Sequence, residues 1–176
     1  MPRKFSINTA LEPLAKPLPA ELASPVGALI ARHTYLDWVL GQVMYNLMEI
    51  SMKQGRVIMK LPRPRVYIAA VKELLEFHRL NVRFDFDDLA EKLEAADSAR
   101  REVTRSIYMT DSDSGAVHLV RSPWDPGPGG DTQPESQALD ARYLTRKRRD
   151  IEEAVVSGEK LRAVTDKLLR IKHRAK

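Results

Sequence analysis

The sequence contains no cysteine. This absence excludes disulfide bonds, zinc sites built from thiolates, iron–sulfur clusters and cysteine nucleophiles. The chain also has no run of 18 consecutive apolar residues, so no membrane-spanning helix and no membrane partner are predicted. The N-terminus lacks the apolar stretch of a signal peptide, and we therefore expect a cytoplasmic protein.

Side chains at the spacing of metal ligands are missing as well. No two of the four histidines have the i, i+4 spacing that places two ligands on one helix face. His33 and His78 lie on or beside apolar stripes and are predicted to be partly buried packing residues. A helix start explains the acidic cluster Asp85, Asp87 and Asp88, because the helix dipole favours anions there. We predict no metal site, no cofactor and no catalytic residues.

Positive charge is concentrated in the C-terminal part of the chain. Residues 141–176 carry 12 Lys and Arg against 5 Asp and Glu, whereas the first 140 residues carry 17 against 19. A local basic strip attracts phosphates and other anionic surfaces, although a solvated helix face has the same composition.

Apolar residues make up 43% of the sequence, enough for a core, and they recur at helical spacing in four segments. The first predicted helix begins at Ser24-Pro25, with an N-cap followed by proline at the first helical position, and ends at Gly55. The second begins near Pro64, the third is capped by Asp85, and the last spans about 140–173.

Two stretches have the pattern of β-structure. Residues 57–61 alternate briefly between apolar and polar side chains. Residues 106–121 predict a β-hairpin, with Gly115 supplying the positive φ of its turn. A segment rich in Pro, Gly and Ser follows over about 122–138 and is predicted to be a loop pinned by Trp124.

These elements together predict a mainly α-helical fold. Four amphipathic helices bury their stripes most simply in an antiparallel four-helix bundle, here with a small β-hairpin inserted before the last helix. Residues 1–24 contain four prolines and are expected to form a flexible arm, whereas residues 25–176 are expected to form a single helical domain.

Two groups of arginines and one tyrosine are candidate ligands for anions or nucleic acid. The first group lies at the end of the third helix, where the dipole stabilises cations and where guanidinium forks bind phosphate in a bidentate manner. The second shares one face of the last helix by i, i+3 and i+4 spacing. The candidate residues are Arg100, Arg101, Arg105, Tyr108, Arg142, Arg146 and Arg149.

The first group carries a resemblance to a known family. Arg100-Arg101, three further residues, and then Arg105-Ser106-Ile107-Tyr108 resemble the motif of HEPN-like helical proteins, in which an Arg is followed four to six residues later by a His. The order of the helices is similar over roughly Val26 to Leu169, as are Gly115 and Trp124 after the motif. The resemblance implies a helical bundle that pairs with a second copy and binds or cleaves RNA.

One position departs from the family pattern. Arg105 stands where HEPN ribonucleases have the His that works with the motif Arg, and no other Arg with a His four to six residues on occurs in the chain. Arginine stays protonated near neutral pH and cannot act as a general acid or base. The resemblance therefore implies a member without the usual ribonuclease activity.

Three hypotheses follow from these residues. The first is a non-catalytic helical binding module that self-associates as a homo-oligomer and acts through contacts with a protein or RNA. The second is a divergent HEPN-like ribonuclease that uses Arg105, Tyr108 and His118. The third is a structural adaptor subunit of a larger assembly, held through the proline-rich arm and loop.

Overall fold

The structure is a computed structural model, and it describes residues 11–14, 16–58, 62–121 and 136–174. Within these residues the chain is mainly helical, with a small antiparallel sheet, which confirms the predicted class at that level. The elements in chain order are β1 (Leu11–Pro13), α1 (Ala20–Leu47), α2 (Met52–Ile58), α3 (Pro64–Phe77), α4 (Phe86–Arg105), β2 (Ile107–Asp111), β3 (Val117–Val120), β4 (Ser136–Ala138) and α5 (Ala141–Arg174).

The described residues divide into two compact units. The first unit comprises those up to Ile30 together with those of Ser98–Arg149, and the second comprises Ala31–Asp97 and Asp150 onward. Helices α1, α4 and α5 contribute residues to both units. The single helical domain over 25–176 stays a prediction.

The first unit contains the sheet, whose strands lie in the order β1-β2-β3-β4. Strands β2 and β3 form the predicted hairpin, with Met109 opposite His118, and Gly115 has the expected positive φ of 69°. A side chain at that φ is strained, which explains glycine in the turn. The hairpin prediction is confirmed.

Two strands lie where none was predicted. Strand β1 lies inside the segment expected to be an arm and pairs with β2, and β4 pairs with β3. The loop prediction over 122–138 is therefore wrong for Ser136–Ala138, while the rest of that loop, with Trp124, lies outside the described residues. Three-residue strands leave too short an alternation to be recognised, and only pairing to the hairpin defines them.

Helix α1 begins earlier than the sequence predicted. It starts at Ala20, and the carbonyl oxygen of Pro19 accepts hydrogen bonds from the N–H groups of Leu22 and Ala23 at 2.9 and 2.8 Å. The predicted start at Ser24-Pro25 is wrong, and Pro25 lies inside the helix. Proline has no N–H, so the carbonyl oxygen of Glu21, four residues earlier, lacks its usual helical donor, and this loss is confined to the first two turns of α1.

The predicted end of the first helix is also wrong. Helix α1 ends at Leu47, and Gly55 lies inside α2, the short helix that replaces the predicted β-like segment at residues 57 and 58. A Cβ atom on Gly55 would collide with the ring of Tyr45. Glycine is required here for close packing of a helix against an aromatic ring rather than for chain reversal.

The second unit contains helices that run parallel as well as antiparallel. Helices α1 and α5 are parallel, because Arg32 contacts Glu152 and Asn46 contacts Asp166, both at a separation of 120 residues. Helix α3 runs parallel to α1, since Tyr67 bonds to the carbonyl of Leu40 and His78 to that of Leu47. The predicted antiparallel arrangement is therefore wrong for these three helices.

Helices α3 and α4 do run antiparallel, as the contacts Arg65–Glu94 and Lys72–Asp87 show. Both helix starts are where the sequence placed them. Pro64 opens α3, and an Oδ1 atom of Asp85 accepts the N–H of Asp88 at 3.0 Å, so Asp85 caps α4 as predicted.

Candidate anion-binding surface

The first group of predicted arginines lies at the C-terminal end of α4. Arg101 and Arg105 are exposed, whereas Arg100 is half-buried. The last carbonyls of a helix carry a partial negative charge, which stabilises cations at this end. The local sequence therefore places three guanidinium groups within two turns, at the point where the chain leaves α4 for strand β2.

The second group lies at the start of α5. An Oδ1 atom of Asp140 accepts the N–H of Tyr143 at 2.7 Å and so caps the helix, which sets the register of the following residues. Arg142, Arg146 and Arg149 are all exposed, as their shared face predicted. Arg146 also lies over the ring of Tyr143, with 5.6 Å from its Cζ atom to the ring centroid.

A single carboxylate connects the two groups. Glu102 on α4 accepts hydrogen bonds from Tyr143 Oη and forms an ion pair with Lys147 Nζ, both on α5 and both at 2.7 Å. Ser98 Oγ donates a third bond to it at 3.0 Å. Both groups therefore belong to one surface of the first unit, which we call the basic surface and define as residues 98–105 and 141–149.

The bonds to Glu102 control its charge and that of Tyr143. Burial raises the pKa of Glu102, but the hydrogen bonds from Lys147 and Tyr143 outweigh burial and leave the pKa below its ordinary value of 4.5. Burial and the bond to Glu102 raise the pKa of Tyr143. At neutral pH the tyrosine is therefore a neutral donor, and Glu102 is an anion whose charge is already satisfied.

The basic surface has a large positive surplus. Its sequence holds eight Lys and Arg residues and one carboxylate, Glu102. Most of the arginines are exposed, while Lys147, whose side chain is 13% exposed, is occupied by that carboxylate. Such a surface offers donors and positive charge and almost no acceptors, which is the chemistry that binds phosphate oxygens.

Tyr108 does not offer its hydroxyl to this surface. The hydroxyl donates a 2.6 Å hydrogen bond to the carbonyl oxygen of Val103 in the last turn of α4, and the ring is half-buried. A hydroxyl has one hydrogen to donate, so none is left for an anion. Tyr108 satisfies the carbonyl of Val103 at the end of the helix and is not a candidate contact for an anion.

His118 is also withdrawn from solvent. It lies in strand β3, between β2 and β4, and is 7% exposed. The hairpin therefore presents neither of the groups, Tyr108 and His118, that the ribonuclease hypothesis needed beside Arg105. His33 and His78 are buried, as their positions on apolar stripes predicted.

The sequence predicted the arginines of this surface but not the residues that join them. Tyr143 and Lys147 lie four residues apart on α5 and bind the same carboxylate. Their spacing relative to Arg142 and Arg146 was a usable signal, because it places them on the adjoining helix face. That this face meets Glu102 depends on the packing of α4 against α5, which no local pattern contains.

Two other features are absent among the described residues. No group of three or more His, Asp and Glu side chains there is arranged to hold a metal ion. No helix among them combines the length and the apolar composition needed to cross a membrane.

Comparison of the chain with protein-family models, with curated proteins and with solved structures finds no match.

Proposed function

We propose that this protein is a non-catalytic binding module that holds the phosphate backbone of RNA on its basic surface. The observation that carries the proposal is that the basic surface holds eight Lys and Arg side chains but a single carboxylate, Glu102, which is bound by Lys147. Arg101, Arg105, Arg142, Arg146 and Arg149 are the contacts, with the half-buried Arg100 beneath them. Phosphate contacts of this kind give affinity and orientation without base specificity.

The absence of catalysis follows from the residue types at the surface. Guanidinium and ammonium groups donate hydrogen bonds but do not exchange protons near neutral pH, so they stabilise phosphate without cleaving it. The hydroxyl of Tyr108 is bonded to Val103 and the imidazole of His118 is buried, so neither supplies the missing general base. The resemblance to HEPN-like proteins, in a degenerate form, is part of this proposal.

Self-association is the second element of the proposal. A two-fold pair of copies would present the basic surface twice and raise the affinity for a strand that reaches both. The mass of the protein in solution, measured by light scattering with and without RNA, tests this element separately from binding. A monomer that binds RNA would remove self-association and leave the basic surface in place.

The main experiment measures the affinity for a 20-nucleotide single-stranded RNA by fluorescence anisotropy at two salt concentrations. The test variant is R142E/R146E, whose two residues are exposed on α5. The control is K53E/R83E, which reverses two exposed cations outside the basic surface and changes the net charge equally. We expect the test variant to lose at least about tenfold in affinity and the control to lose little.

The salt dependence gives an independent measure of the contacts. Each phosphate contact to a single strand contributes about 0.7 to the slope of log affinity against log salt concentration. Replacing Arg142 and Arg146 by alanine should therefore lower the slope by about 1.4. Equal losses in test and control variants, or no RNA binding by the natural protein, would refute the proposal and direct the search to protein partners of an adaptor.

A further inference from the structure

A second cationic feature lies in the other unit, along the C-terminal half of α5. A cavity of about 550 Å³ opens there, and the residues that line it include Arg162, Asp166, Lys167, Arg170, Ile171 and Arg174. We call this cavity the α5 groove. All of its lining residues belong to α5, so the groove is an open strip along one helix face, with the volume of a small-molecule site.

The cations of the α5 groove differ from the other cations of the second unit in their pairing. Arg32, Arg65 and Lys92 each form an ion pair with a carboxylate, at 2.8, 2.7 and 2.6 Å. In the described part of the chain, no carboxylate forms an ion pair with any of Lys167, Arg170 and Arg174 within 4.0 Å. Like charges held on one face repel one another, and an external anion relieves that repulsion.

The hydrogen-bonding character of the groove selects the kind of anion. Four of its side chains are Arg or Lys, which only donate. Its one acceptor, Asp166, already receives a 2.7 Å bond from Nδ2 of Asn46. Donors therefore outnumber acceptors in the groove, which favours an anion that presents several acceptor oxygens, such as a chain of linked phosphates.

The groove also has an apolar part. Ile171 is 55% exposed, and Trp38, 38% exposed, lies beneath Arg162 with 5.3 Å between the guanidinium carbon and the ring centroid. From Arg162 to Arg174 the helix rises about 18 Å, at 1.5 Å per residue. A ligand that combines a short chain of phosphates with a flat apolar group matches this layout of charge and surface.

We propose that the α5 groove binds a nucleoside polyphosphate. The phosphates bind Lys167, Arg170 and Arg174, and the base lies against the Arg162–Trp38 pair. This site is separate from the basic surface, and its occupancy does not depend on RNA binding there. The proposal is for binding alone, and no bond of the ligand is made or broken.

Trp38 provides the signal for the test. The sequence has two tryptophans, so W124F leaves Trp38 as the only one in the chain. The emission of Trp38 is recorded in the full-length W124F protein, without divalent cations, during titration with a nucleoside triphosphate. Parallel titrations use the corresponding nucleoside, inorganic tripolyphosphate, hexaglutamate and a six-nucleotide RNA.

We expect a saturable change in emission with the nucleoside triphosphate and at least tenfold weaker binding of the nucleoside. Inorganic tripolyphosphate should bind more weakly than the nucleotide, because it lacks the base. The variant K167E/R170E should lose at least tenfold in nucleotide affinity, whereas R142E/R146E and K53E/R83E should retain it. Far-UV circular dichroism confirms that each variant is folded.

Three results would overturn the proposal. The first is the absence of a saturable signal by both emission and calorimetry. The second is equal affinity for hexaglutamate, which would make the groove a general polyanion surface. The third is tighter binding of the six-nucleotide RNA, which would make it a strand-binding site. If K167E/R170E loses affinity for the nucleotide while R142E/R146E loses affinity only for RNA, both proposals are supported. The two sites can then be disrupted independently of each other.

Discussion

The two units of this protein use charged side chains in opposite ways. In the second unit, outside the α5 groove, charges are matched between neighbouring helices: Arg32 forms a bidentate pair with Glu152, and the hydroxyl of Tyr35 bonds to Glu159 at 2.5 Å. In the basic surface of the first unit, the single carboxylate, Glu102, pairs with Lys147, and seven further Arg residues lie in the same two segments. Matched pairs define which helix faces meet, whereas an excess of one sign creates a field that attracts an external partner.

The difference teaches that a count of charges along the chain does not locate a binding surface. Helix α5 is basic along most of its length, but its cations have different neighbours in the two units. Around residue 152 the helix contributes carboxylates to pairs with α1, and at its start it contributes cations around Glu102. Three variants test this contrast, in order of expected effect: they remove the carboxylate of Glu102, the hydrogen bond of Tyr108 at the end of α4, and the pair of Arg32 with Glu152.

Replacing Glu102 with glutamine should have the largest effect on stability. The change leaves the mostly buried ammonium group of Lys147 without a counter-charge, and we expect a loss of about 2 kcal/mol in the free energy of unfolding. The affinity for RNA should rise about twofold, because the one opposing charge is gone. Urea unfolding and anisotropy measure the two effects, and Glu73→Gln, at an exposed position on α3, is the control. A parallel fall in stability and affinity would contradict this account.

Acidification should remove part of the stability that Glu102 contributes to the folded protein. The folded pKa of Glu102 lies below its ordinary value of 4.5 because the bonds from Lys147 and Tyr143 outweigh burial. A lowered pKa stabilises the folded state above the ordinary value, and this stabilisation is lost as the pH falls through the folded pKa. The free energy of unfolding should thus decline below about pH 4.5 more steeply in the natural protein than in Glu102→Gln. Equal slopes would show that Glu102 gains no charge stabilisation on folding.

Replacing Tyr108 with phenylalanine tests whether its hydroxyl stabilises the end of α4 or contacts RNA. The variant loses the bond to the carbonyl of Val103, and we expect a loss of about 1 kcal/mol in stability. The RNA affinity should not change, because that hydroxyl is already occupied in the folded protein. Thermal unfolding and anisotropy on the same samples measure both quantities. A severalfold loss of RNA affinity at unchanged stability would show that Tyr108 does contact RNA.

Breaking a matched pair in the second unit should have the smallest effect. Arg32→Ala removes the bidentate pair with Glu152, whose side chains are both about one-third exposed. Solvent screens such pairs, so we expect a loss of about 0.5–1 kcal/mol and no change in RNA affinity. Arg83→Ala, at an exposed position in the loop before α4, serves as the control. A large fall in RNA affinity would show that the contrast between the two units is wrong.

Much of the secondary structure could be predicted from local signals. Pro64 at the start of α3, the cap by Asp85 and the turn at Gly115 each act through neighbouring backbone groups, and each was found where expected. The errors fell where local preference gave way to contacts distant in sequence. Gly55, which resembled a helix end, fits a helix against the ring of Tyr45.

The candidate site likewise has features that local sequence predicts and features that depend on tertiary packing. The composition and helical spacing of the arginines predicted where positive charge would gather, since residues three and four apart on a helix share a face. Two hydrogen bonds could not be predicted. Tyr108, a strand residue, bonds to the carbonyl of Val103 at the end of α4. Tyr143 bonds to Glu102, which is 41 residues away in sequence and lies on another helix. These two bonds decided which candidates face solvent.

By itself, the sequence determined the helical class, the hairpin and the basic C-terminal segment, since each depends on residue type or short spacing. The tertiary structure alone decided that α1, α3 and α5 run parallel, because parallel and antiparallel packing bury the same apolar stripes. It also decided that Glu102 meets Lys147 and that Asp166 meets Asn46. Both pairings join residues distant in sequence, so no local pattern in the sequence contains them.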